Sequence, residues 1–254
     1  MIAFACAGET LLGTLDEAPG TTGLLIVSGG NEIRSGAHRG MAMLAARVAE
    51  AGHPVFRFDR RGVGDSSGSN GGYLSAGPDL AAAIATFRDT APHVTRLVGF
   101  GNCDAATALL IHAPEAFDRL ALANPWAIEE AGPLPPPAAI RAHYGARLRD
   151  PRAWGRLLSG SVSFARLSGG LATILRSARE ELTPLEAKLF AALTAHSDAR
   201  VLLAEGDGTA IAFADAARRA GYQGPVMRVP TASHSFADAT AKAALEQAVL
   251  SALA

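Results

Sequence analysis

The sequence predicts an α/β fold in which a mostly parallel sheet of eight strands is covered by helices on both faces. Short aliphatic and β-branched runs alternate with segments of helical periodicity, which is typical of consecutive βαβ units. The chain has 254 residues, of which 49% are hydrophobic and 19% charged, so it is long and apolar enough to bury a large core. No internal repeat or low-complexity tract interrupts the alternation.

The individual elements follow from this alternation. The predicted strands are 2–6, 10–15, 23–27, 54–59, 96–100, 119–123, 200–204 and 225–229. The predicted helices are 38–51, 78–90, 105–112, 210–220 and 238–253. The first two strands form a hairpin through Gly8 and Glu9, and helix 105–112 is apolar almost all round, so we expect it to be central and buried.

The alternation stops after the sixth strand. From Gly132 to about residue 183 there are only short helical segments broken by Pro and Gly. We therefore expect a helical cap, 132–183, inserted into a core formed by 1–131 and 184–254.

Charge and cysteine content narrow the function classes. Lys and Arg number 23 against 24 Asp and Glu, a net charge of −1 that argues against a general nucleic-acid binder. Two cysteines in so long a chain indicate a reducing compartment, and with no signal-like start or apolar run of about 18 residues we expect a cytoplasmic protein without stable membrane insertion. No motif predicts a metal or a cofactor, and the oligomeric state is not readable.

Three loops at carboxyl ends of predicted strands carry reactive side chains. In open parallel sheets, functional residues lie on such loops. The first, Gly99-Phe100-Gly101-Asn102-Cys103-Asp104-Ala105, is similar to a nucleophile elbow, G-x-S-x-G, with Cys103 in the Ser position and Ala105 replacing the last Gly. A small buried Cys at a strand–helix junction is the alternative interpretation.

The other two loops supply an acid and a base. Asp207 lies in the turn after strand 200–204, where a helix cap is the alternative, and His234 follows the last strand, where a merely solvated loop His is the alternative. The order Cys103, Asp207, His234, each after the strand where a catalytic triad would place it, favours the catalytic interpretation.

A glycine turn after the third strand is a candidate oxyanion loop. The backbone N–H groups of Gly30 or Asn31, with that of Asp104, would hold a developing negative oxygen; a plain glycine turn is the alternative. The stretch from Arg57 to Gly68 looks like a D-x-R-G-x-G-x-S turn, and we interpret this turn as structural. It fails as a dinucleotide fingerprint because no helix begins there.

Taken together, these motifs resemble the α/β-hydrolase superfamily, and in particular the hydrolases associated with exosortase A systems (type 1) in exopolysaccharide-producing bacteria. The resemblance rests on G-N-C-D-A, F-D-R-R-G-V-G-D-S-S-G, G-G-N-E-I-R-S-G-A-H-R-G, D-G-T-A and S-H-S-F. It implies the α/β-hydrolase fold and an exopolysaccharide or exosortase context, with no defined substrate.

The expected activity is esterase or thioesterase chemistry through an acyl-thioenzyme, with Cys103 as nucleophile, His234 as base and Asp207 orienting it. The rival from another class is a non-catalytic α/β-hydrolase-fold binding or scaffold protein in which Cys103 is inert.

The predicted cap is strongly basic. Between Pro137 and Arg179 lie eight Arg, no Lys and one acid, a charge of +7, which would attract an anionic acyl carrier. Arg147, Arg149 and Trp154 are the candidate substrate-binding residues. Two alternatives stay open: charge pairing between cap and core, and a membrane-surface patch formed by Trp154 with neighbouring apolar residues.

Overall fold

An eight-stranded sheet forms the centre of the protein. The computed structural model describes residues 1–129 and 181–254. The strand order is β1-β2-β4-β3-β5-β6-β7-β8, with β1, β2 and β4 paired antiparallel and all other pairs parallel. The strands are β1 (Ile2–Cys6), β2 (Glu9–Asp16), β3 (Thr22–Val27), β4 (Val55–Phe58), β5 (Arg96–Asn102), β6 (Arg119–Ala123), β7 (Ala199–Ala204) and β8 (Val226–Val229).

Helices cover both faces of this sheet. The helices of the described ranges are α1 (Gly40–Glu50), α2 (Gly77–Thr90), α3 (Asp104–His112), α4 (Pro184–Ala195), α5 (Gly208–Ala220) and α6 (Ala239–Leu253). Helices α1 and α6 pack on the face that includes Leu24 and Ile26, whereas α2, α3, α4 and α5 pack on the face that includes Leu25 and Val27. Each fully buried side chain of this kind stabilises the fold by about 1.5–3 kcal/mol.

The centre of the sheet explains where a site can form. All six residues of β3 are buried because helices cover both of its faces. In the sheet, β3 lies between β4 and β5. The connection after β3 leads to β4 on one side, and the connection after β5 leads to β6 on the other side, so the two connections run in opposite directions. The crevice at the carboxyl ends of these two strands is the usual binding position in open α/β sheets.

All eight predicted strands are present, and the helix boundaries differ in instructive places. Helix α1 begins at Gly40 rather than at residue 38, because His38 and Arg39 have φ values of 52° and 60°. Helix α4 was not predicted. Its capping box, in which Thr183 and Glu186 exchange hydrogen bonds, is nevertheless readable from T-P-L-E.

The predicted cap lies outside the described residues except for its last three positions, so 132–183 stays a prediction. Within the described ranges, no helix combines the length and the apolar character needed to cross a bilayer.

The D-R-R-G turn after β4 is held by buried charge. Asp59 is fully buried and accepts hydrogen bonds from the backbone N–H of Arg34, at 2.5 Å, and from its guanidinium. The guanidinium of Arg61 donates to Asp79 in α2 and to the carbonyl of Ser75. These contacts join the turn to the loop after β3 and to α2, in keeping with a structural role.

Candidate active site

Cys103 lies at the sharp junction between β5 and α3. Its backbone has φ 62° and ψ −129°, a conformation that non-glycine residues rarely adopt and that the surroundings must hold in place. Here the Cys103 N–H donates to the carbonyl of Ala123 at 3.0 Å, and its carbonyl accepts from the N–H of Trp126 at 3.2 Å. The sulfur is partly exposed at the first turn of the helix.

The small residues of the elbow are required by close backbone contacts. A Cβ on Gly101 would lie 2.8 Å from the carbonyl carbon of Ala105, and Ala105 itself is fully buried. A Cβ on Gly29 would lie 2.5 Å from the carbonyl oxygen of Asn102 and 3.2 Å from Cβ of Cys103. The loop after β3 therefore packs directly on the elbow.

The structure brings Cys103, His234 and Asp207 together from three separate loops. His234 Nδ1 lies 3.0 Å from Asp207 Oδ1, and the Cys103 side chain lies close enough to the His234 ring to raise the pKa of that ring. Asp207 is in addition the N-cap of α5, since its Oδ2 accepts from the Ala210 N–H at 3.0 Å. The carboxylate that caps α5 is therefore also the one that lies beside the His234 ring.

His234 and Asp207 each shift the pKa of the other. The hydrogen bond to Asp207, followed by that to Cys103, raises the pKa of His234 to about 10, although burial acts in the opposite direction. Burial alone would raise the pKa of Asp207, but the hydrogen bond and charge of His234 with two backbone N–H groups lower it. At neutral pH the ring is consequently an imidazolium between the Asp207 carboxylate and the Cys103 side chain.

In the glycine loop after β3, one of the N–H groups predicted to hold an oxyanion already has a hydrogen-bond partner. The Gly30 N–H is already donated to the Asp104 carboxylate at 2.6 Å, and the Gly30 carbonyl accepts from Arg60 at 2.7 Å and from Asn70 at 2.8 Å. In this structure the Gly30 N–H is therefore not free to hold an oxyanion, and the backbone bonds of Gly30 instead hold the loop in place. The N–H groups of Asn31 and Asp104 remain the candidate donors to an oxyanion.

The second cysteine has a different environment. Cys6 is buried in β1 and its sulfur donates to Asp79 Oδ1 at 3.4 Å. Burial, with the adjacent carboxylate, raises its pKa to about 11. Cys6 therefore stays a thiol at neutral pH and serves as an internal reference for Cys103.

Comparisons with known proteins agree with this architecture. No protein-family model and no curated protein matches the sequence. Among solved structures, an α/β serine hydrolase without a lid from Xanthomonas campestris has 17% identity and a TM-score of 0.61, covering 98% of this chain and 93% of its own. An esterase from Pyrococcus furiosus has 14% identity and a TM-score of 0.62, with coverages of 100% and 92%. An α/β hydrolase from a Penicillium species has 16% identity and a TM-score of 0.65, with coverages of 99% and 96%.

The chain has the α/β-hydrolase fold. The fold expected from the sequence is thereby confirmed. At these identities the likeness establishes the fold alone, so chemistry must be argued from the site.

Several polar residues of this α/β-hydrolase fold were not singled out from the sequence. Arg60 is buried beside the elbow, and Asn102 and Asn124 are buried at the ends of β5 and β6. The cap residues Arg147, Arg149 and Trp154 lie outside the described residues. In the described ranges, no cluster of three or more His, Cys, Asp or Glu side chains is arranged to hold a metal ion.

Proposed function

We propose that this protein hydrolyses carboxylic esters or thioesters through a Cys103–His234–Asp207 triad. The observation that supports the proposal most directly is the row formed by the Asp207 carboxylate, the His234 ring and the Cys103 side chain, with His234 Nδ1 3.0 Å from Asp207 Oδ1. The sulfur is on a strained elbow at the carboxyl end of a central strand, the position of an attacking group in this fold.

The proposed reaction has two halves. The Cys103 thiolate attacks the carbonyl carbon and forms a C–S bond, while the N–H groups of Asn31 and Asp104 hold the oxyanion. The His234 imidazolium gives its proton to the leaving oxygen or sulfur, the bond to that atom breaks, and an acyl-thioenzyme forms. Neutral His234 then takes a proton from water, whose hydroxide attacks the acyl carbon. The C–S bond breaks, so the acid is released and the thiolate–imidazolium pair is restored.

The nucleophile type favours a substrate class. A thiolate is a weaker base than an alkoxide, and it expels good leaving groups more readily than poor ones. We therefore expect activated esters, thioesters and lactones to be better substrates than amides.

The physiological setting is proposed from sequence alone. The resemblance to hydrolases associated with exosortase A systems suggests exopolysaccharide or exosortase-associated metabolism. The eight arginines between Pro137 and Arg179 suggest an acyl group on a negatively charged carrier, such as coenzyme A or an acidic saccharide.

The test is turnover with capture of the intermediate. Purified protein would be assayed with p-nitrophenyl acetate and acetyl coenzyme A, and rapidly quenched samples would be examined by mass spectrometry for acetylation of the Cys103 peptide. We expect turnover that is lost in Cys103→Ala and retained in Cys6→Ser. Absence of turnover and of acyl adduct across a broad ester and thioester panel would contradict the proposal and favour the scaffold alternative.

A further inference from the structure

Two buried amide side chains donate to one carbonyl oxygen of the loop that carries His234. Asn102 Nδ2 lies 3.1 Å from the His234 carbonyl oxygen, and Asn124 Nδ2 lies 3.2 Å from the same oxygen. Asn102 is 6% exposed and Asn124 is fully buried. Buried amides are costly unless paired, so their convergence on this one residue requires an explanation.

The amides belong to a network that joins all three loops of the proposed triad. Asn124 Nδ2 also donates to Asn102 Oδ1 at 3.1 Å, and Asn124 Oδ1 accepts from the Ala204 N–H at 2.8 Å. Asn102 directly precedes Cys103 in the chain. Ala204 ends β7, and its carbonyl accepts from the Asp207 N–H at 2.9 Å. The nucleophile loop, the acid loop and the histidine loop thus share one set of buried hydrogen bonds.

The local structure of the histidine loop does not by itself require these amides. The Ser233 N–H donates to Thr231 Oγ1, the Ala237 N–H donates to Ser233 Oγ, and the Phe236 N–H donates to the Ser233 carbonyl. The Phe236 side chain is buried and anchors the loop. The bonds to the His234 carbonyl instead tie this loop to the carboxyl ends of β5 and β6.

We propose that Asn102 and Asn124 are positioning residues that hold the His234 ring against the Cys103 sulfur; this inference rests on the proposed function. Small displacements of a catalytic group are expensive, since a shift of about 1 Å can lower a rate about 100-fold. Neither amide contacts the reacting atoms through the bonds described. Their effect is therefore transmitted through the backbone of His234.

The test uses Asn102→Leu, which keeps the side-chain volume and removes both hydrogen bonds. We expect kcat for p-nitrophenyl acetate to fall about 10- to 100-fold with a smaller change in KM. We also expect alkylation of Cys103 by iodoacetamide at neutral pH to slow and the pH dependence of this alkylation to change. Asn102→Ala is the second variant if the leucine is not accommodated, and thermal unfolding establishes that each variant folds.

A control and a double variant separate positioning from general destabilisation. Ser66→Ala removes a buried hydroxyl that donates to the Asp59 carbonyl at 2.7 Å, remote from His234, and should lower stability without changing the alkylation profile. In a His234→Ala background, Asn102→Leu should cause no further slowing of alkylation. Equal slowing with and without His234 would overturn the inference.

Failure of the inference and failure of the proposed function give different results. If wild-type Cys103 is alkylated rapidly and in a His234-dependent manner while Asn102→Leu behaves as wild type, only the positioning role is overturned. If wild-type Cys103 reacts no faster than Cys6, the proposed triad is overturned and the positioning role with it.

Discussion

The Asp207 carboxylate serves two partners at once, since Oδ1 lies 3.0 Å from His234 Nδ1 while Oδ2 accepts the Ala210 N–H of α5 at 3.0 Å. The two roles of this side chain, capping a helix and pairing with a histidine, require different chemical properties. The cap needs an acceptor of hydrogen bonds, whereas stabilising the imidazolium needs a negative charge.

Paired substitutions at Asp207 should therefore separate the helix cap from the charge. Asp207→Asn keeps a good N-cap and removes the charge, so we expect a large loss of kcat, with unfolding free energy lost only from the charge pair with His234. Asp207→Ala should lose the same activity and be about 0.5–2 kcal/mol less stable than Asp207→Asn. Urea denaturation and ester assays of both variants test this. Equal stability of the two variants would show that the cap contributes nothing.

The raised pKa of His234 predicts a pH dependence of stability. The folded state holds a proton on His234 that the unfolded chain loses near pH 6.5, so the stabilisation is complete below 6.5 and is lost as pH rises toward about 10. The test is urea denaturation of a Cys6→Ser, Cys103→Ser double variant between pH 6 and 8.5, which has no thiol to ionise and keeps the Asp207 contact that raises the pKa of His234. We expect stability to fall with pH, and a further Asp207→Asn change to weaken this slope. A slope unaffected by Asp207→Asn would contradict the assignment.

The two cysteines should differ sharply in reactivity. Cys103 is partly exposed beside an imidazolium, whereas Cys6 is buried with its pKa raised to about 11. At about pH 7.5, iodoacetamide should label Cys103 about 100-fold faster or more, as measured by peptide mass spectrometry over time. His234→Ala should slow labelling of Cys103 and leave Cys6 unchanged. Slow labelling of both thiols at one rate would favour the scaffold alternative.

The buried ion pair between Arg60 and Asp104 should contribute to the free energy of unfolding. Arg60 is 2% exposed, and its Nη2 lies 3.2 Å from Asp104 Oδ2 and 2.7 Å from the Gly30 carbonyl. Asp104→Ala leaves this guanidinium buried without its counter-charge, which should cost about 3–5 kcal/mol of unfolding free energy. Combining it with Arg60→Leu should recover part of that loss in urea denaturation. A double variant no more stable than Asp104→Ala would argue against this explanation.

Charge in the predicted cap should affect substrate choice. Reversing Arg147 and Arg149 to Glu is expected to raise KM for anionic thioesters such as acetyl coenzyme A much more than for neutral p-nitrophenyl esters, because only the former lose an attraction. Steady-state kinetics at low and high salt measure it. Equal changes in KM for both substrate types would remove the electrostatic role.

Local patterns were sufficient for most of the fold. Strand 119–123 was predicted with the bounds of β6, and the small residues of the elbow followed from the close approach that Gly101 and Ala105 allow. Helix α4 was missed because it follows the insertion directly, although Thr183 and Glu186 carry its capping signal. Hydrophobic periodicity and turn residues are short-range information, and they predict elements well.

The side-chain contacts inside the site could not be predicted from the sequence, because they join residues that are far apart along the chain. The occupied N–H of Gly30 depends on a carboxylate 74 positions away, and the convergence of Asn102 and Asn124 on His234 spans 132 and 110 positions. Such side-chain bonds have no periodicity and leave no local pattern. Nothing in the sequence around Asn102 therefore indicates these contacts.

Residues 1–129 and 181–254 supply every contact described here between sulfur, ring and carboxylate. Under the proposed function, reactivity and substrate selection would then be encoded in different stretches of the polypeptide. Related chains could diversify their substrates by exchanging the stretch after β6, while inheriting the same reactive centre unchanged.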